Sequence, residues 1–152
     1  MELKFEYERI QVELNLKSRV TILSGDSGTG KSYLYNTVKN FSVENDMGDN
    51  ILCIDIGNYQ LVGLSDLRNR KNSIIFIDQA DDILEGELYD FYYNDHDNYY
   101  VIIGRSFAND VDQLARPVIK GKHIGIKYLT EDYRVWKYDT YSSTAHGLII
   151  ID

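Results

Sequence analysis

The chain has 152 residues, of which 43% are hydrophobic and 26% charged, so its length and composition fit one globular domain. Its formal net charge of −8 argues against a generic electrostatic attachment to nucleic acid or to anionic lipid. The single cysteine excludes a disulfide framework, and no apolar stretch reaches the length of about 18 residues that a membrane span needs. We therefore expect a cytoplasmic protein without a signal peptide.

The first elements in chain order are two strands, a glycine-rich loop, a helix and a further strand. Alternation over residues 5–16 predicts one half-buried strand, and residues 19–23 predict a second strand. Apolar residues recur at helical spacing after the loop, which predicts a short helix over residues 31–41. The continuous apolar run at residues 51–56 is typical of a strand that is buried on both faces.

The middle of the chain continues the alternation of helical and strand patterns. Residues 58–71 predict a helical or irregular crossing in which Leu61, Leu64 and Leu67 face inward. A buried strand is expected at residues 73–78, a helix at residues 80–93 and another buried strand at residues 99–104.

The last third of the chain has a different hydrophobic pattern, with alternating runs typical of strands. Two alternating runs flank Thr130-Glu131-Asp132, which predicts an antiparallel hairpin, and the apolar tail from His146 predicts a last edge strand or a surface for self-association.

These patterns predict an α/β fold, a three-layer sandwich with a mainly parallel central sheet and antiparallel strands at the N- and C-terminal ends. Residues 1–152 are expected to form one domain, with a core at about 8–117 and a β-rich C-terminal extension at about 118–152.

The loop between the second strand and the first helix carries the clearest chemical signal. Its sequence GDSGTGKS matches G-x-x-x-x-G-K-[ST] at every fixed position. Glycine lets consecutive backbone N–H groups converge on phosphate oxygens, and the helix that follows adds its positive N-terminal end. Lys31 is expected to reach the β- and γ-phosphates, and the Ser32 hydroxyl to ligate Mg²⁺. The expected nucleotide-binding segment comprises Gly25, Asp26, Ser27, Gly28, Thr29, Gly30, Lys31, Ser32 and Tyr33.

A carboxylate for the metal is expected at the end of a later strand. The apolar residues of "SIIFID" end in Asp78, and ligands of open α/β sheets gather at the carboxyl ends of the strands. We therefore expect Asp78 to hold Mg²⁺ through water, although a strand also often ends in an aspartate that caps the next helix.

With "GDSGTGKS" as Walker A and "IIFID" as Walker B, the sequence resembles the P-loop NTPases. The segment that leads into the loop resembles the additional-strand branch, which contains AAA-like and STAND-like ATPases. The resemblance covers roughly residues 8–117 and implies a domain that binds ATP with Mg²⁺ as cofactor. It also implies that the loop amides and Lys31 bind phosphate. Arg105, after the strand "YYVIIG", would sense the γ-phosphate or stabilise charge that develops during transfer; a surface arginine at a strand end is the other interpretation.

One position departs from the pattern of that branch. The residue after the Walker B aspartate is usually a glutamate that serves as general base, and here it is Gln79, whose amide orients water but accepts no proton. Asp82 lies one helical turn beyond Asp78 and is a candidate for the missing base, if the helix starts at once. The alternative is that Asp82 is a first-turn acid favoured by the helix dipole.

Three functions remain open at this stage. The first is an ATPase with slow or partner-dependent hydrolysis that drives a conformational switch, whose partner is another protein or a second copy. The second is a nucleotide-sensing module that binds ATP without hydrolysis, and the third is a small-molecule kinase. The resemblance implies adenine as the base, and no N-K-x-D guanine-reading motif occurs in the sequence. No segment resembles the helical lid that AAA-like enzymes carry, and no arginine-rich kinase lid is apparent.

Overall fold

The computed structural model describes residues 1–8, 10–16, 19–24, 31–104, 133–137 and 148–151. In chain order the elements are β1 (Glu2–Tyr7), β2 (Ile10–Asn15), β3 (Val20–Ser24), α1 (Lys31–Glu44), β4 (Ile51–Ile54), α2 (Leu64–Asn69), β5 (Ile74–Ile77), α3 (Ala80–Ile83), α4 (Gly86–Asn94), β6 (Tyr99–Ile103), β7 (Tyr133–Lys137) and β8 (Leu148–Ile151).

The central sheet has the order β4-β5-β6-β3-β7, and every pair of neighbouring strands in it is parallel. A second sheet has the order β1-β2-β8, in which β1 and β2 are antiparallel. The protein is therefore a mixed α/β fold with a parallel central sheet, as the alternating sequence pattern predicted.

Side chains of the central sheet alternate between two apolar clusters. Within β5, Ile74 and Phe76 join the cluster that contains the inward face of α1 and the β1–β2 hairpin, whereas Ile75 and Ile77 join the cluster beneath α2, α3 and α4. All four side chains of β5 are buried, because a strand covered on both faces keeps no solvent side. Apolar side chains therefore cover both faces of the central sheet, with α1 and the β1–β2 hairpin on one face and α2, α3 and α4 on the other.

The N-terminal segment forms a hairpin instead of the single strand that was predicted over residues 5–16. Glu8 adopts a positive φ of 47°, which turns the chain between β1 and β2, and Phe5 pairs with Val12 across the hairpin. Apolar and polar residues alternate on both sides of the turn, so the pattern concealed the reversal. The expected antiparallel strands at the N-terminal end are confirmed.

The C-terminal strands differ from the predicted antiparallel hairpin around residues 130–132. Strand β7 pairs parallel with β3 at the edge of the central sheet, and β8 pairs parallel with β2. The run before Thr130 lies outside the described residues, so the partner that was expected for β7 is not described. The apolar tail is an edge strand, as predicted. Strand β7 belongs to the proposed extension by sequence, yet it extends the central sheet.

Two helical predictions need correction. The helix expected at residues 80–93 is divided into α3 and α4, because Glu85 is extended and Gly86 has a positive φ of 58°. Leu61, expected inside, has 84% of its surface exposed. It lies in the turn before α2, and only Leu67 of that short helix is fully buried. Within the described part of the chain, no helix has both the length and the apolar character needed to cross a bilayer.

Candidate nucleotide-binding site

The carboxyl ends of β3, β4, β5 and β6 meet at one edge of the central sheet. The N–H of Gly104 donates to the carbonyl of Leu23 at 3.1 Å, and the N–H of Asp78 donates to the carbonyl of Ile54 at 2.9 Å. The glycine-rich loop leaves the sheet at this edge, because β3 ends at Ser24 and α1 begins at Lys31. The strand and the helix that were predicted on the two sides of this segment are therefore present.

The strand order creates a topological switch point between β3 and β6. Helix α1 leaves the carboxyl end of β3 and packs on one face of the sheet, whereas α3 and α4 leave the carboxyl end of β5 and pack on the other. Open α/β sheets bind ligands in the crevice outside such a point. Strand β6 also separates β3 from β5, so the strands that carry the loop and Asp78 lie two spacings apart, about 10 Å.

Most residues of the predicted phosphate-binding segment lie outside the described residues. This holds for Gly25, Asp26, Ser27, Gly28, Thr29 and Gly30. Lys31 and Tyr33 are described only as backbone of the first turn of α1, and Ser32 is exposed there. The predicted γ-phosphate sensor, Arg105, also lies outside the described part, immediately after β6 and Gly104.

Asp78 follows β5 directly and is 8% exposed. Its backbone is fixed at the level of the end of β4 by the hydrogen bond to Ile54. A hydroxyl and a carboxylate are the hard oxygen donors that Mg²⁺ prefers. The chemistry of Ser32 and Asp78 therefore fits this ion, with nucleotide phosphates and water as the remaining ligands. Among the described residues, no group of three or more His, Cys, Asp or Glu side chains forms a metal cage by itself.

Gln79 has an unusual backbone. It is the N-cap of α3 with φ 51° and ψ 41°, in the left-handed region, and its side chain makes no capping hydrogen bond. A residue other than glycine in this region costs roughly 1–2 kcal/mol. The strained residue thus lies beside Asp78, at the position where the resembled branch has its base.

The backbone conformation of Gln79 affects the prediction that Asp82 faces the same site as Asp78. The helix does not start at Asp78, because Gln79 interrupts the helical path and α3 begins at Ala80. Helical spacing therefore does not place Asp82 on the same face as Asp78. Asp82 is an exposed residue in the first turn of α3, and its N–H donates to the carbonyl of Gln79 at 2.9 Å. Its role as a base stays a prediction without that support.

A second aspartate at this edge, Asp55, was missed by the sequence reasoning. It follows β4 as Asp78 follows β5, and its carboxylate accepts four hydrogen bonds. Oδ2 accepts from Tyr35 Oη at 2.8 Å and from Lys39 Nζ at 2.9 Å, both on α1. Oδ1 accepts from the N–H groups of Gly57 at 2.9 Å and Asn58 at 3.1 Å. The repeated endings "ILCID" and "IIFID" were the available signal.

These contacts shift the pKa values of Asp55 and Tyr35. Partial burial raises the pKa of Asp55, but the hydrogen bonds and charge of Lys39 and the Tyr35 hydroxyl outweigh it, so the pKa lies below its ordinary value. Burial, followed by the hydrogen bond to Asp55, raises the pKa of Tyr35 above its ordinary range. A carboxylate so stabilised is a poor proton acceptor. Asp55 therefore fixes α1 against the turn after β4 and is no substitute for the missing base.

The lone thiol lies next to this cluster. Cys53 is half-buried in β4. Burial raises its pKa to about 12, with Lys39 opposing the rise. The thiolate form is therefore disfavoured, which agrees with the structural role that its apolar surroundings favour.

No protein-family model matches this chain, and no curated protein matches its sequence. The interpretation of the site therefore depends on its residues and on the fold.

Proposed function

We propose that the protein is a P-loop NTPase that binds Mg²⁺ and ATP and hydrolyses ATP slowly or only with a partner. The observation that carries this proposal is the glycine-rich loop between β3 and α1 at the topological switch point. Backbone amides, a helix N-terminus and a lysine then converge where anions bind most readily. Strand β6 between β3 and β5 agrees with the additional-strand branch that the sequence resembles.

In this proposal the loop and Lys31 bind the phosphates, and Ser32 and Asp78 hold Mg²⁺. Arg105 senses the γ-phosphate from the segment after β6. Binding and loss of the γ-phosphate order and release the segments after Asp78 and Gly104, which is the conformational switch.

The test is phosphate release from Mg-ATP by the full chain and by Lys31→Ala. Lys71→Ala is the matched control, since Lys71 is an exposed lysine near the opposite edge of the sheet. We expect Lys31→Ala to lower turnover by about 100-fold or more, with the control unchanged. A titration with a fluorescent ATP analogue accompanies it. Absence of both turnover and binding in the unaltered protein contradicts the proposal.

The second candidate is a nucleotide sensor that does not hydrolyse ATP. It is favoured by Gln79, because a strained neutral amide occupies the position of the base. Gln79→Glu distinguishes the two candidates. A rise in turnover of about 100-fold indicates a site that lacks only its base. Unchanged turnover with intact ATP binding favours the sensor.

A further inference from the structure

Two aspartates follow neighbouring strands of the central sheet at the same level. In the parallel pairing of β4 with β5, Ile54 lies opposite Ile77, so Asp55 and Asp78 are the next residues on the two strands. The hydrogen bond of 2.9 Å from the N–H of Asp78 to the carbonyl of Ile54 continues the ladder to this level. Because neighbouring strands lie about 5 Å apart, the two side chains start from adjacent positions at the carboxyl edge.

Both aspartates belong to the face of the sheet that α1 covers. Phe76 lies in the same apolar cluster as Tyr35 of α1, and Cys53 packs against that cluster. Side chains two residues apart along a strand share a face, so Asp78 continues the face of Phe76. By the same alternation, Asp55 continues the face of Cys53, in agreement with its hydrogen bonds to α1. One helix therefore lies over both strand ends.

Tyr35 connects the first turn of α1 with these strand ends. Its side chain is buried, and its hydroxyl donates to Asp55 Oδ2 at 2.8 Å. Burial and this hydrogen bond are the main causes of its raised pKa, and the charge of Asp78 adds to them. The hydroxyl is therefore within electrostatic range of both carboxylates. Ser32 precedes Tyr35 by three residues, which places the two one turn apart on the same side of the helix.

The position of α1 sets the spacing between the two expected oxygen donors of the magnesium site, Ser32 and Asp78. Asp55 holds the helix through Tyr35 and through the ion pair with Lys39 at 2.9 Å. Asp55 is itself held by two backbone N–H groups of the turn after β4. Since Mg²⁺ demands near-ideal octahedral geometry, a displacement of α1 relative to β5 is expected to disturb the coordination of the ion.

We propose that Tyr35 is a positioning residue for Mg²⁺, because its bond to Asp55 fixes the first turn of α1 relative to Asp78. This inference rests on the proposed nucleotide binding. Lys31 and Ser32 belong to α1 and move with it, whereas Asp78 belongs to the edge of the sheet. Loss of the Tyr35 hydroxyl therefore preserves the contacts that α1 makes with the phosphates and weakens the Mg²⁺-dependent part of ATP binding.

The test compares Tyr35→Phe with Tyr7→Phe in titrations of the full chain with a fluorescent ATP analogue, in Mg²⁺ and in EDTA. Tyr7 is the matched control, because its hydroxyl donates to Glu44 at 3.1 Å at the opposite end of the same helix. We expect Tyr35→Phe to reduce the gain in affinity that Mg²⁺ gives by about threefold or more, with the affinity in EDTA unchanged. Tyr7→Phe is expected to change neither affinity. An equal loss in Mg²⁺ and in EDTA, or no loss, in Tyr35→Phe overturns the inference.

A double-mutant cycle with Asp78→Asn shows whether Tyr35 acts through the magnesium site. We expect Tyr35→Phe to reduce the gain from Mg²⁺ less in the Asp78→Asn background than in the original protein, because residues that act on one ion are not additive. Additive effects overturn the inference and leave the proposed nucleotide binding intact. Urea unfolding of each variant separates loss of folded protein from loss of affinity. Failure of the proposed function is distinguishable, since the original protein then binds no ATP analogue, which overturns both.

Discussion

The two edges of the central sheet both bury an aspartate, and the comparison separates a structural carboxylate from a candidate ligand. Asp95, before β6, and Asp78, after β5, are each 8% exposed. Asp95 lies at the amino edge, where Oδ2 accepts from Tyr100 Oη at 2.6 Å and from Asn98 Nδ2 at 2.8 Å. Asn98 in turn accepts from the N–H of Ser73. Asp78 lies at the carboxyl edge, beside the strand ends where the glycine-rich loop begins.

The difference teaches that burial alone does not identify a functional acid. At the amino edge, the carboxylate is one member of a network that joins β5 to β6, and its role is the stability of the fold. At the carboxyl edge, the position relative to the switch point gives the acid its proposed role. The variants below test whether the two edges separate in this way, in order of decreasing effect.

The largest effect is expected at the amino edge. Asp95→Ala removes the buried acceptor of the Tyr100 hydroxyl and of one of the two Asn98 side-chain N–H groups, which is expected to lower the free energy of unfolding by about 3 kcal/mol. Urea unfolding followed by circular dichroism measures it. A loss below about 1 kcal/mol contradicts the structural role. The ATP affinity of the folded fraction is expected to stay unchanged.

The matching change at the carboxyl edge is Asp78→Asn, which keeps the shape and removes the charge. We expect the Mg²⁺-dependent part of ATP binding to weaken tenfold or more, a change of about 1.4 kcal/mol or more. The free energy of unfolding is expected to change by less than about 1 kcal/mol. Nucleotide titrations with Mg²⁺ and with EDTA measure the first quantity. A large loss of stability with intact Mg²⁺ dependence reverses the assignment of the two edges.

The contact between α1 and the turn after β4 is expected to contribute less to the free energy of unfolding. Tyr35→Phe removes only the hydroxyl that donates to Asp55 at 2.8 Å, and the expected loss in the free energy of unfolding is about 1 kcal/mol. Tyr59→Phe, a nearby half-buried tyrosine, serves as control. Equal stability of the Tyr35→Phe variant and the original protein shows that the bond does not anchor α1.

The smallest expected effect is a loss of stability at acid pH. The pKa of Asp55 in the folded state lies below its ordinary value of 3.8. Its stabilising contribution is therefore present above that pH and is lost as the pH falls through the lower folded-state pKa. Because Lys39 is 40% exposed, its ion pair is expected to contribute less than about 1 kcal/mol. Unfolding measured from pH 6 to about 2.5 in the original protein and in Asp55→Asn checks this. An equally steep loss of stability in both excludes Asp55 as a cause.

Local patterns predicted much of this fold. The apolar runs at Ile51–Ile54, Ile74–Ile77 and Tyr99–Ile103 are strands, and α1 begins at Lys31, the lysine of the loop motif. These patterns failed where the alternation of one strand continues into the next strand. They also failed where a single backbone angle decides whether the chain turns. The β1–β2 turn at Glu8 and the break before Gly86 depend on positive φ values that the hydrophobic pattern does not register.

The residues of the candidate site likewise divide into those that the sequence indicated and those that it missed. The sequence alone indicated Asp78 and the phosphate-binding motif, because both depend on residue types at fixed spacing. It missed Asp55, whose importance arises from contacts with Tyr35 and Lys39 of the distant helix α1.

The sequence by itself thus determined which segments are strands and helices and where a phosphate-binding loop is expected. This is possible because hydrophobic periodicity and glycine content act over a few residues. Only the tertiary structure decided the strand order β4-β5-β6-β3-β7 and the presence of a cavity between α2 and α4. It also decided that β7 pairs parallel with β3 and that β8 pairs parallel with β2. These features depend on which distant surfaces bury one another, and a local pattern carries no information about its partner.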